Sequence, residues 1–377
     1  MARPSDDDQL PTGEPGSVSS ALQAVLRQAI ADAGGWLPFD RFMALALYQP
    51  GLGYYANAGR KFGVLPGSGS DFVTAPELTP LFGRALAAQV AQGLQACGSV
   101  RVLEFGAGSG ALAESLLDAL GAQVQDYAIV DLSGVLRARQ QARLARFGAR
   151  VRWLDALPAA FEGVVVGNEV LDAMPVQLLH FDGAAWAERG VVLGPDGQLA
   201  FADRPTALRP PVDAPFVPGT TTEVHPQAEA FVATLAGVLR RGLALFIDYG
   251  FPEAEYYLPQ RHGGTLMCHQ AHRADGDPLA DVGLKDITAH VNFTGIALAA
   301  QDAGLDVLGY TSQARFLINC GLVPMLEGAP IAERAMAQKL ITEHEMGELF
   351  KVIALGRGLG AGFEPLGFTQ GDRTHRL

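Results

Sequence analysis

Apolar positions recur with helical spacing at Val18, Leu22, Val25, Leu26, Ala29 and Ile30, which predicts a helix over residues 18–33 with Ser17 or Ser19 as its cap. The spacing returns from Asp40 to Tyr48, and a third helix is expected to start at Thr79 and Pro80 and run through Val90. Between them, residues 48–77 are dense in glycine and aromatic side chains. So long an irregular stretch is functional or disordered, and Tyr54, Tyr55, Phe62 and Phe72 favour function. From Arg101 the period changes. Apolar runs at 101–105, 126–131, 151–154 and 163–167 read as strands, and helical patterns at 111–120 and 135–147 separate the first three. That alternation predicts an α/β fold with a doubly wound parallel sheet.

Two further strands, 176–181 and 186–193, are joined by a short Asp-Gly-Ala-Ala link and predict an inserted antiparallel hairpin. A proline-rich stretch at 205–218 leads to a helix at 226–240 and an apolar strand at 243–250. Residues 251–285 form a second excursion rich in Gly, Pro and His, after which a helix over 286–303, a strand at 305–310 and a last strand at 351–355 are expected. The core sheet then has about seven strands, mostly parallel, and ligands of such sheets bind at the carboxyl ends near the reversal of strand order. The predicted organisation is a disordered tail at 1–17, a helical lid section at 18–98, a core at 99–360 interrupted at about 176–225 and 251–285, and a C-terminal tail at 361–377.

A chain of 377 residues, 49% hydrophobic and 18% charged, can bury a large core. Its net charge of −12 repels phosphate backbones, which argues against nucleic acid as the substrate. Three scattered cysteines suggest neither a disulfide framework nor a zinc site, in keeping with a reducing, bacterial cytoplasm. The first residues lack the apolar stretch of a signal peptide, and no apolar run reaches the length of a membrane span.

The stretch VLEFGAGSGALAES (residues 102–115) ends a strand in an acid and continues into alternating glycines. Gly106, Gly108 and Gly110 let a ligand approach backbone, and the following helix offers free N–H groups. A nucleotide-hydrolysing loop would need Gly-Lys-Ser/Thr, which is missing. A dinucleotide loop remains an alternative, with an NAD(P)-dependent oxidoreductase as its consequence, as does a plain tight turn with Asp131 capping the next helix. Glu104 disfavours the dinucleotide, since its charge faces a pyrophosphate badly and suits a sulfonium with an ammonium tail. The arrangement resembles that of class I S-adenosyl-L-methionine (SAM) methyltransferases, a Rossmann-like fold, with Asp131 on the ribose hydroxyls and Asp155 near the adenine amino group.

Further on, GNEVLDAMP supplies Asn168, Glu169 and Asp172, with the two acids three apart and so on one face of a helical turn. They form a candidate catalytic group, or are simply acids answering a helix dipole. Asp248, Tyr249 and His290 are secondary candidates. His262, His269 and His272 match no standard metal spacing.

The strings MALALYQPGLGYY, SDFVTAPELTPLFG, VLEFGAGSGALAESLL, VVVGNEVLDAMPV, LFIDYG and DPLADVGLKDITAHVNFT resemble, in this order, the MidA-like family of SAM-dependent methyltransferases. The mitochondrial members of that family assemble respiratory complex I and methylate an arginine of a core subunit. The resemblance runs from about Phe39 to Tyr310, with Gln49 where His is usual. It implies SAM contacts from Glu104, Gly106, Gly108, Gly110 and Asp131, and a cover over the cofactor from Thr74, Pro76 and Glu77. Asn168 stands where amino-methylating relatives hold the acceptor nitrogen. The implied partners are a protein substrate, a complex I subunit among them, and a homodimer is allowed for. An assembly chaperone that keeps SAM without turnover is the non-enzymatic alternative.

Overall fold

The computed structural model describes residues 15–57, 74–131, 133–270 and 273–377; Phe62, Phe72, His272 and most of the expected N-terminal tail lie outside them. Seven strands build the central sheet: β1 (Arg101–Phe105), β2 (Asp126–Val130), β3 (Val151–Leu154), β4 (Phe161–Asn168), β5 (Leu239–Phe251), β6 (Asp306–Ser312) and β7 (Phe350–Arg357). Their order is β6-β7-β5-β4-β1-β2-β3. β3, β2, β1, β4 and β5 run parallel, and β7 is inserted antiparallel between β5 and β6. An eighth, two-residue strand, Val291–Asn292, pairs with the end of β5. This is the expected α/β architecture of a class I methyltransferase.

The parallel strands are apolar along their length because helices cover both faces. On one face Pro80–Cys97 and Ala111–Leu120 pack with Val102, Val164 and Leu243; on the other Pro226–Val238 and Phe293–Asp302 pack with Leu103, Val165 and Phe246. Pro80–Cys97, assigned by sequence to the lid section, thus belongs to the core. The helix starts where expected, Thr79 caps it by accepting from the Leu81 N–H at 3.3 Å, and it runs seven residues beyond Val90.

Several boundaries differ from the sequence reading. The first helix is Pro15–Asp32, so both serines proposed as caps lie inside it, and proline takes the first turn, where a missing N–H costs nothing. The expected hairpin is part of a five-stranded antiparallel sheet in which Trp186–Leu193 pairs with Gln177–Phe181, Leu199–Pro205 and Leu37–Pro38, and Thr221–Val224 adds to the edge. The helix expected from Asp286 starts only at Phe293. Asp286–Thr288 is instead a strand on Met267–Gln270, and Asn292 caps the helix through the Gly295 N–H.

The C-terminal segment is no tail. Phe368 is buried against Phe316, the Arg373 N–H donates to the Tyr310 carbonyl at 2.6 Å, and Arg376 pairs with Glu255 at 2.5 Å.

Three segments distant in sequence share one further core: Leu22, Phe39, Phe42 and Tyr54 from the N-terminal section, Val176, Leu178 and Val191 from the first insertion, and Cys268 and Val282 from the second, with Ile287 on the strand that follows it. Two insertions that read as independent excursions therefore form one lobe with the N-terminal helices. Buried Glu223 joins them, accepting from Tyr256 Oη at 2.9 Å and from the N–H groups of Thr265 and Leu266 at 2.8 and 3.0 Å. Asn57 donates to the Gly283 carbonyl at 2.8 Å and draws the chain after the second helix under the same roof. No described helix is long and apolar enough to cross a membrane.

Candidate active site

The glycine loop leaves β1 at Phe105 and turns sharply through three left-handed residues, Gly106 (φ +62°), Gly108 (φ +54°) and Gly110 (φ +84°). Side chains are costly in that region, which explains the alternation. Gly106 and Gly108 line a cavity of about 920 Å³, near the upper end of ligand-sized clefts. Gly110 does not line it; a Cβ there would lie against Gln140 and Leu144, so it serves the packing of two helices rather than ligand contact.

Gln140, which the sequence reading missed, ties this end of the cavity together. Its Nε2 donates to the Gly108 carbonyl at 3.0 Å and to Asp131 Oδ2 at 2.7 Å, while its Oε1 accepts from Trp153 Nε1 at 2.9 Å. Asp131 lines the cavity and accepts from the Ser133 N–H at 2.9 Å. Ser133, not Asp131, caps the next helix, which removes the plain-turn alternative for that aspartate.

Glu104 is 2% exposed, lines the cavity and accepts from Tyr127 Oη at 2.7 Å. Burial pushes its carboxyl up to about 8. Thr74, Pro76 and Glu77 also line the cavity, and Glu77 accepts from Ser109 Oγ with Arg143 at 3.5 Å, which fastens this segment to the glycine loop. Asp155 is elsewhere: its side chain is 87% exposed and paired with Arg137 at 2.7 Å, so the structure does not place it at the adenine end. Leu157 and Phe231 add apolar lining to the cavity.

At the other end, residues 169–172 are not the helical turn predicted for them. Asp248, at the end of β5, accepts from the N–H groups of Val170, Leu171 and Asp172 at 3.1, 2.9 and 3.2 Å. Those donors are therefore spent on a side chain, and Glu169 is held at φ +54°, a strained conformation for a residue with a side chain. The helix-dipole reading of the two acids falls with the helix. Asn168, Glu169 and Asp172 all line the cavity, and Asn168 Nδ2 donates to Glu169 Oε1 at 2.9 Å. Burial, with Asp172 nearby, pushes Glu169 up to about 8, and burial raises Asp172 to about 6. One carboxylate oxygen of Asp172 and the amide oxygen of Asn168 are buried without a hydrogen-bond partner.

Asp248 thus positions the turn from below. Tyr249 and His290 line the cavity, but His290 lies before the helix, its ring stacked on Phe251 at 5.3 Å and its pKa lowered to about 4 by burial, then by Arg261. Of the expected tyrosine pair, Tyr55 lines the cavity whereas Tyr54 is core. Tyr48 and Asp286 also line it and were missed. Both lie inside the strings that carry the family resemblance, which was the available signal. Among the described lining residues there are six carboxyls (Glu77, Glu104, Asp131, Glu169, Asp172 and Asp286) and neither lysine nor arginine. Such a lining favours cationic ligands.

Residues 85–311 match a protein family described as "Putative S-adenosyl-L-methionine-dependent methyltransferase". A crystal structure from Burkholderia thailandensis, bound to S-adenosyl-homocysteine, is 52% identical and superposes with a TM-score of 0.92 over 98% of this chain and 100% of that one. The Caenorhabditis elegans "Protein arginine methyltransferase NDUFAF7 homolog, mitochondrial" is 27% identical over 90% of this chain and 88% of its own length. The human "Protein arginine methyltransferase NDUFAF7, mitochondrial" is 26% identical over 85% of this chain and 80% of its own. The cofactor is SAM, which sets aside the NAD(P) alternative.

Proposed function

We propose, for a chain that belongs to the MidA-like family of SAM-dependent methyltransferases, that the methyl acceptor is an arginine side chain of a protein. The observation that carries this reading is the acceptor end of the cavity, where Asn168, Glu169 and Asp172 line the space from one bend, with Glu169 held at φ +54°. A guanidinium keeps its proton up to about pH 12 and attacks only when its charge is drawn away from the reacting nitrogen. Carboxylates gripping the other N–H groups do that and fix the orientation.

The step is an in-line displacement. The nitrogen lone pair bonds to the methyl carbon, the carbon–sulfur pair stays on sulfur to give S-adenosyl-homocysteine, and one proton leaves the nitrogen. Glu169 and Asp172 are the groups placed to take that proton, with pKa values raised to about 8 and about 6. Glu104 and the backbone at Gly106 and Gly108 would hold the methionine part, Asp131 the ribose, and Thr74, Pro76 and Glu77 the cover. The names of the worm and human relatives support arginine and a protein acceptor. The resemblance to mitochondrial assembly factors points to a complex I subunit.

Methyl-labelled SAM, incubated with the protein and an extract of cells lacking its gene, should label protein. After acid hydrolysis the label should elute with methylarginines; label in methyllysine, or none, overturns the arginine reading. Cofactor binding carries its own pH signature. Glu104 attracts a cation in its ionised form, but its carboxyl stands at about 8 in the free protein. Below about pH 8, binding has to expel a proton, so affinity for SAM should fall by up to about tenfold per pH unit and level off above it. Calorimetry between about pH 6 and 9 reads this directly, and a flat profile would remove Glu104 from the ligand's charge.

A further inference from the structure

We infer that Met267 and Leu349 form an apolar rim at the acceptor end of the cavity, on which a polypeptide seats the hydrophobic side chains that flank the residue it inserts. The inference rests on the acceptor end proposed above and adds what selects the segment around the arginine.

The rim is placed by a row of contacts. Met267 opens the strand Met267–Gln270, whose alternation divides it between two surfaces: Cys268 is buried in the core of the second lobe, while Met267 and His269 line the cavity. Across the ladder Met267 pairs with Thr288, two residues before His290. From His290 the row crosses to the other side through rings set edge to face, His290 to Tyr249 at 5.1 Å and Tyr249 to Phe350 at 5.3 Å between centroids. Leu349 is the next residue, and all three rings line the cavity. The row is tied to the Glu169 bend twice. Ala289, beside His290, donates its N–H to the Asp172 carbonyl at 3.0 Å, and Asp248, beside Tyr249, accepts from the N–H groups of Val170, Leu171 and Asp172.

Met267 is 37% exposed and Leu349 43%, and among the described residues these are the exposed large apolar side chains that also line the cavity. Side chains that do both mark where the cavity opens. One exposed apolar residue on a surface is ordinary, but two on a single opening, joined by a wall of rings, make a surface suited to a bound chain. The occupant follows from the chemistry inside. A side chain that reaches the Glu169 bend brings its own backbone to the opening, and in an extended chain the residues two before and two after it point the same way. Hydrophobic side chains at those positions meet Met267 and Leu349, whereas a free amino acid or a small amine has nothing to place there.

The test uses the full chain saturated with S-adenosyl-homocysteine and two acetylated, amidated peptides, Leu-Gly-Arg-Gly-Leu and Ser-Gly-Arg-Gly-Ser, with affinity read by ligand-observed NMR. Wild type should bind the leucine peptide about fivefold or more tighter, the return from covering exposed apolar area. In the variant carrying Met267→Ser and Leu349→Ser that preference should fall below about twofold, with the serine peptide and S-adenosyl-homocysteine each bound within about twofold of wild type; Met267→Leu should keep the preference. No preference in wild type, a preference that survives in the double variant, or a parallel loss of S-adenosyl-homocysteine overturns the inference. Should the double variant fail to fold, each single change is expected to cut the preference about twofold, and an unchanged preference in both overturns the inference equally. If wild type binds only the lysine counterparts of the two peptides, the arginine reading fails, while the leucine preference among those counterparts still decides the role of the rim. Binding of none of the four peptides overturns it.

Discussion

Replacing Gly108 by valine should lower affinity for S-adenosyl-homocysteine by about 100-fold or more while the protein stays folded. Two effects add. Gly108 sits at φ +54°, where a β-branched residue is strained by roughly 1–3 kcal/mol. It also lines the cavity, so relieving the strain shifts the backbone that the ligand would touch. The shift does not stay local. The Gly108 carbonyl accepts from Gln140 Nε2, and the same nitrogen donates to Asp131 at 2.7 Å, so the loop and the Asp131 carboxylate are set by one amide. Calorimetric titration gives the affinity, and a thermal melt followed by circular dichroism separates lost binding from lost fold. Affinity within about threefold of wild type, in a variant that melts normally, would mean that the ligand does not rest on this loop.

The glycine loop was legible in sequence because its chemistry is local: strand, acid and alternating glycines succeed one another within fifteen residues. The seven core strands were legible for a related reason. Parallel strands buried on both faces read as apolar runs such as Val164–Val165–Val166, and the helices between them carry their own period. What escaped depends on partners far along the chain. Nothing in the period of residues 169–172 announces that Asp248, 76 to 78 residues away, takes three of their N–H groups and turns a presumed helix into a strained bend.

Asp286–Thr288 was read as the first turn of a helix because the helix that follows is well patterned, whereas its pairing with Met267–Gln270 leaves no periodic trace in three residues. Asp155 shows the converse failure: its position after the third strand was right for the adenine end, but an exposed pairing with Arg137 holds its side chain outside the cavity. Gln140 gave no signal at all, since one buried glutamine in a helix looks like any other until its three partners are seen.

Glu169→Gln should lower the rate of methyl transfer by roughly 10²–10⁴-fold, the range for loss of a positioned base, with little change in affinity for S-adenosyl-homocysteine. The substitution keeps shape and an oxygen for Asn168 Nδ2, so the turn has no reason to rearrange. What it removes is the charge that orients a guanidinium and one of the two carboxylates able to take the departing proton. The strain at φ +54° supports a functional reading, because an ordinary bend at this point would be served by glycine, and Gly167 stands only two residues earlier. The pH profile adds a second readout. With Glu169 at about 8 in the free protein, the rate at low acceptor concentration should climb as pH rises towards 8, since only the ionised form pairs with the cation; the glutamine variant should lack that limb. A variant that turns over like wild type would move the chemistry away from this bend, and one that loses S-adenosyl-homocysteine as well would make Glu169 part of the cofactor's seat. A chaperone without turnover would have no rate to lose, so the same measurement on wild type separates an enzyme from a SAM-bearing assembly factor.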